Sequence, residues 1–156
     1  MMFKRLLCVA AVLVMAGCSS PKFDGKPLEE TNQSKQLTIV EDDATRDIFL
    51  ASMLNWCDIN GYTCKVVVDG TTPKEDELTL DYVSRWSWDF KTFIADARIT
   101  AYQEGQRVGY VTFKAPNQLT FDKYGSDEER IKAMMDVLFK ITSAKEATRK
   151  AGNGEI

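Results

Sequence analysis

Apolar and polar positions change their spacing several times along this chain, and each change marks an element. Residues 37–41, Leu-Thr-Ile-Val-Glu, are a short apolar run that reads as a strand. Asp42 and Asp43 follow as candidate helix N-caps, and Asp47 is placed to favour the positive end of a helix. Ile48, Phe49, Met53, Leu54, Trp56 and Cys57 then recur at helical spacing as far as Asn60, and Gly61 is a natural left-handed stop. Residues 62–68 predict a second strand, ended by Asp69-Gly70-Thr71-Thr72-Pro73 and a charged loop to Glu77. From 78 to 88 the pattern alternates: Leu78, Leu80, Tyr82, Trp86 and Trp88 share one face, and Thr79, Asp81, Arg85 and Ser87 the other. Residues 93–103 predict a longer strand with Phe93, Ala95, Ala97, Ile99 and Ala101 toward the core and Asp96, Arg98, Thr100 and Tyr102 away from it. Glu104-Gly105-Gln106 turns the chain, and residues 107–114 return as the hairpin partner. After a loop over 115–125, Ser126-Asp127-Glu128-Glu129 is a capping box. Ile131, Met134, Met135, Leu138 and Phe139 form the stripe of a second long helix, and the tail from 147 to 156 reads as frayed.

This order, β-α-β-β-β-β-α, predicts an α+β fold. It is a two-layer sandwich of one mostly antiparallel sheet of about five strands with two helices on one face, occupying residues 37–146 as a single domain. The alanines at 95, 97 and 101 call for a helix lying close over their face. If the first two strands are parallel, the unit they make with the first helix crosses right-handed.

The N-terminus obeys a different pattern. Lys4 and Arg5 precede an apolar run over 6–17, well short of the roughly 20 residues a spanning helix needs. The run ends in Met15-Ala16-Gly17-Cys18, which resembles the lipobox of bacterial lipoproteins. The resemblance implies a signal peptide over 1–17, a lipid on Cys18 and contact with a membrane through that lipid. In the sorting pattern of Gram-negative bacteria an Asp after the cysteine marks inner-membrane retention. Ser19 and Ser20 stand here, which implies the outer membrane with a periplasm-facing domain. Residues 18–36 are polar, hold two prolines and show no periodicity, so they read as a lipidated flexible tether with a span of roughly 20–25 Å.

Composition narrows the chemistry. The chain carries a net charge of -3, and removing residues 1–17 takes away Lys4 and Arg5 to leave -5, so nucleic acid is not an expected partner. It has no histidine, which removes the commonest general base and the commonest metal ligand together. Cys8 leaves with the signal and Cys18 carries the lipid, so Cys57 and Cys64 remain, and in an oxidising periplasm they read as a disulfide. No metal site and no cofactor is expected.

Two further likenesses bear on class. The element order looks like the small α/β domains of periplasmic assembly lipoproteins such as the activators of peptidoglycan synthases, at the level of fold alone. The stretches T-R-D-I-F-L-x-x-M-x-N-W, L-T-L-D-Y-V-x-x-W-S-W-D, G-Q-R-V-G and K-A-P-N resemble a family of small uncharacterised outer-membrane lipoproteins of Gram-negative bacteria, over most of 37–140. That resemblance implies no particular activity.

The chemistry-bearing residues mostly have plain structural readings. Trp86 and Trp88 could form a sugar-stacking platform, but the alternation places both with Leu78 and Leu80 in the core. Met134 and Met135 lie on the core stripe. Asp81, Asp89 and Asp96 could supply the paired carboxylates of a glycan or peptidoglycan hydrolase, the alternative function, yet arginines nearby favour cross-strand ion pairs. Ser84, Ser87 and Ser126 lack a histidine, and Ser143-Ala144-Lys145 has the wrong spacing for a serine–lysine site. No catalytic residue is expected. The favoured function is a non-enzymatic, tethered binding or accessory module for an envelope protein or polymer. Its binding residues are Arg85, Arg98 and Tyr102, on an outward sheet face with Asp81 and Tyr110.

Overall fold

Six strands form one mixed sheet in the computed structural model, which describes residues 20–116 and 121–156. The signal segment, Cys18 and Asn117 lie outside the described residues. The elements run β1 (Lys22–Lys26), β2 (Gln36–Val40), α1 (Asp47–Asn60), β3 (Thr63–Val67), β4 (Leu78–Asp89), β5 (Lys91–Gln103), β6 (Gln106–Lys114), α2 (Asp127–Leu138) and α3 (Ala144–Gly152). Short 3-10 turns occupy Glu30–Asn32 and Phe121–Tyr124. The strand order across the sheet is β1-β6-β5-β4-β2-β3. β2 runs parallel to both β3 and β4, and the remaining pairs are antiparallel. This is the expected α+β fold, with one more strand and one more helix than the pattern showed.

The core is a single cluster between sheet and helices. Leu80, Tyr82, Ile99 and Val111 supply the sheet side, and Phe49, Met53, Ile131, Met134 and Leu138 the helix side. Phe49 stacks on Tyr82 at 4.8 Å between centroids. Trp56 packs against Phe139 and donates its indole N–H to Asp136 at 2.7 Å, so one side chain joins α1 to α2 through both an apolar and a polar contact. The capping box forms: the Ser126 hydroxyl accepts from the Glu129 N–H at 3.2 Å. Asp42 does not cap α1 as expected. The helix starts five residues later at Asp47, and Asp42 instead closes a local turn by accepting from Ala44 N–H and the Thr45 hydroxyl.

Three expectations need correction. Residues 18–36 are not a tether throughout. Lys22–Lys26 pair with β6 as an edge strand, Phe23 packs on Phe113 at 5.0 Å, and Leu28 is fully buried. Phe23 and Leu28 anchor the segment, and Gly25 lets it approach, since a Cβ there would sit 2.3 Å from the Tyr110 carbonyl oxygen. The tail is not frayed from 147. α3 covers β1, burying Ala147 and Ala151, and the Thr148 hydroxyl accepts from Phe23 N–H at 2.9 Å and donates to its carbonyl at 3.3 Å. One side chain thus satisfies edge-strand groups that would otherwise invite another chain. Finally, β5 contains a bulge at Ala95: Arg85 pairs with Asp96 but Trp86 pairs with Ile94. Beyond it the faces exchange, so Ile94 rather than Phe93 lies on the side of Trp86.

Cys57 and Cys64 form the expected disulfide, with Cα atoms 6.2 Å apart. Gly61, at φ 69°, ends α1 and turns the chain so that β3 starts beside it. The bridge closes a short loop, which removes about 2.5 kcal/mol of chain entropy from the unfolded state. Replacing both cysteines by alanine is expected to lower stability by about 2–3 kcal/mol while far-ultraviolet circular dichroism is unchanged, as read by urea unfolding of the oxidised parent and the variant.

Candidate functional site

The helices cover one face of the sheet, and alternation sends a defined set of side chains to the other. Cross-strand register arranges them in rows. Val83, Arg98 and Thr112 lie side by side with Asp24, and Arg85, Asp96 and Lys114 with Lys22. Asp81, Thr100 and Tyr110 form the next row, ending at Lys26. The middle rows enclose a shallow groove of about 440 Å³ lined by Val83, Arg85, Asp96, Arg98, Thr112 and Lys114. Cations outnumber carboxylates on this face: Lys22, Lys26, Arg85, Arg98, Arg107 and Lys114 stand against Asp24, Asp81 and Asp96. A chain of net charge -3 therefore presents a locally positive surface.

The three expected binding residues are not equivalent. Arg85 and Arg98 line the same groove. The Arg85 Nε donates to Asp96 Oδ2 at 2.7 Å, an exposed pair that contributes at most about 1 kcal/mol. Arg98 is exposed beside Val83. Tyr102 lies outside the groove, paired with Thr79, and its hydroxyl bonds to the Asp81 carboxylate. Burial raises the Tyr102 pKa, and the Asp81 charge raises it further. Asp81 is half-buried; desolvation pushes its carboxyl above the usual range against the opposing hydrogen bonds of Thr100 and Tyr102 and the Arg98 charge.

The carboxylates imagined as a hydrolytic pair have separate partners. Asp81 is held by Thr100 and Tyr102, Asp96 by Arg85, and Asp89 by Lys123. The hydrolase reading gains no support from this arrangement. Among the described residues no group of three or more His, Cys, Asp or Glu could hold a metal ion.

A second feature was read otherwise in the sequence. Trp86 is half-buried, with the Arg46 guanidinium 5.1 Å from its ring and its N–H donated to the Ser84 hydroxyl at 2.8 Å. Trp88, expected in the core beside it, is 72% exposed. The helix layer begins at the level of Trp86, where Arg46 precedes α1 and Asp127 of α2 accepts from Ile94 N–H at 3.0 Å. β4 and β5 run on past it. Their turn places Phe90 at φ 60° and 87% exposed, 6.4 Å from Trp88 between ring centroids. A bulky residue in left-handed backbone costs about 1–2 kcal/mol that glycine would not. Alternation revealed the face of Trp88 but not where the cover ends.

The Asp81 environment yields a pH prediction. A carboxyl raised in the folded state binds its proton more tightly there than when unfolded, so its contribution falls as pH rises between the unfolded and folded values. Asp81→Asn does not titrate. Urea unfolding at about pH 3 and pH 7 is expected to show the variant gaining stability relative to the parent on going to the higher pH; a relative loss contradicts the assignment.

No family model matches the chain, and no curated protein matches it. Among solved structures, a minor lipoprotein from Acinetobacter baumannii is similar at 14% identity, over 78% of this chain and 92% of that one, with a TM-score of 0.27.

Proposed function

We propose that this protein is a lipid-anchored, non-enzymatic binding module of the bacterial envelope, and that its open sheet face docks an acidic surface of an envelope protein. The anchor rests on Lys4, Arg5, the apolar run 6–17 and Met15-Ala16-Gly17-Cys18. Ser19 and Ser20 favour the outer membrane over the inner. Among the described residues no helix is long and apolar enough to cross a membrane, so residence there would come from acyl chains on Cys18.

The observation that carries the docking role is the groove between β4, β5 and β6. Arg98 and Lys114 are exposed there with no carboxylate bound among the described residues, and Val83 beside Arg98 is 56% exposed. Arginine beside an apolar floor is suited to a carboxylate-bearing partner, because the stem packs while the fork binds. The excess of cations favours an acidic partner and speeds encounter. Tyr102, tied to Asp81, contributes as a fixed rim.

Two measurements test this reading. Cys18→Ala is expected to move the protein from the membrane fraction to the soluble fraction or to stall its processing; unchanged partitioning and mass would remove the anchor. A photo-crosslinker at Val83 is expected to trap an envelope partner that one at Ile59, 68% exposed on α1, does not. Combining it with Arg98→Glu and Lys114→Glu should cut the crosslink yield by about tenfold or more, since lost anchors cost about 2 kcal/mol, while melting changes little. Equal yields from both positions, or yields indifferent to the charge reversal, overturn the face as a docking surface.

A further inference from the structure

We infer that the β4–β5 hairpin tip, Trp88 with Phe90, is a second membrane contact, seated in the headgroup layer of the bilayer that holds Cys18. The inference rests on the lipid-anchored reading above and adds an orientation to it.

Little chain separates the lipid site from the domain. Ser20 already lies against Gly152 at the end of α3, Pro21 is buried, and β1 starts at Lys22. Only Ser19 separates Ser20 from Cys18, so the two steps reach about 7 Å when extended. The domain therefore cannot drift from the surface its lipid enters.

The chain leaves the sheet at the end where the β4–β5 hairpin turns. Lys22 pairs with Lys114, Lys114 with Asp96 and Asp96 with Arg85. β1 is antiparallel to β6, so the chain before Lys22 leaves the sheet toward the end where β4 and β5 continue to their turn. Lys22 thus stands level with Arg85 across the sheet, and the β4–β5 turn lies beyond that row on the side toward which the chain before Lys22 departs. The chain that leads to Cys18 and the aromatic tip thus belong to the same end of the sheet.

The chemistry of the tip suits a membrane surface. Tryptophan and its amphipathic relatives concentrate at the membrane–water interface, and a lysine beside them meets lipid phosphates. Trp88 and Phe90 are 72% and 87% exposed, and Lys91 follows them. Asp89, the carboxylate within the tip, is neutralised by Lys123. Its backbone carbonyl accepts from the Tyr124 hydroxyl at 2.6 Å, so two neighbouring residues of one turn hold the hairpin end in place. An exposed aromatic kept in left-handed backbone, and gripped from behind, serves an external contact better than it serves folding.

The test uses the full chain, acylated and reconstituted in phosphatidylethanolamine–phosphatidylglycerol vesicles whose chains carry bromine, a contact quencher of tryptophan. Intact mass of the same sample reports the acyl group on Cys18. The emission of Trp88 is taken as the difference between the parent and Trp88→Phe, which removes Trp56 and Trp86 from the signal. The expected result is a blue-shifted Trp88 component, quenched by the brominated lipid and shielded from aqueous iodide. Acylated protein whose Trp88 emission stays red and iodide-sensitive overturns the tip contact and leaves the anchor standing. Shielding that develops only when envelope proteins are added assigns the tip to a protein partner and also overturns it. An unmodified Cys18 in membrane-extracted protein overturns the anchor and this inference together.

Discussion

The pairing of β4 with β5 is the constraint on which the remaining structure depends. These are the longest strands, and each neighbour is laid against one of them: β2 on β4, β6 on β5. Their inner side chains, Leu80, Tyr82, Ile99 and Ala101, are the floor on which α1 and α2 rest. Their outer side chains set the rows of the positive face. The bulge at Ala95 decides what happens at the far end. Because the faces exchange there, Phe93 turns away from the helices and is covered by Tyr124 at 5.9 Å, which brings the 121–124 turn against the hairpin end. Ala95 itself is tied to the residue just after β6, its carbonyl accepting from Ala115 N–H at 2.9 Å.

That turn also answers for the one arginine that is fully buried among the described residues. Arg130 is 0% exposed and donates to the Lys123 carbonyl at 2.7 Å, with its guanidinium 5.1 Å from the Phe113 ring. A buried guanidinium is costly unless its hydrogens are engaged, so its place in the first turn of α2 ties that helix to the 121–124 segment and to β6. Lys123 offers Arg130 its carbonyl and offers Asp89 its ammonium. Core and hairpin end are thereby coupled through a single residue.

Much of this was legible in the residues, and the misses have physical causes. The helical stripe of Phe49, Met53 and Trp56 and the alternation of Leu78, Leu80 and Tyr82 each report a large apolar face, so α1, α2, β4 and β6 follow from spacing. β1 was invisible because Lys-Phe-Asp-Gly-Lys buries chiefly Phe23 on its core side. α3 was invisible because its buried stripe is two alanines, too small to stand out among lysines. The bulge leaves no mark on composition, so alternation puts Phe93 on the wrong side. For the candidate site, alternation correctly placed Arg85 and Arg98 on the outward face. It could not foresee that Tyr102 is engaged by Asp81, because partners across strands depend on register, which periodicity leaves open.

The position of β1 has a mechanical consequence. On the proposed lipid anchor, a tug between membrane and domain would enter at Ser20 and be directed along β1, toward the end from which the chain emerges. The hydrogen bonds joining β1 to β6 run across that direction, so they share the load together instead of opening one after another. The Thr148 bonds to Phe23 add a second fastening on the opposite edge. A domain held by its first strand in this way resists extraction by shear, and its weakest direction is a sideways peel.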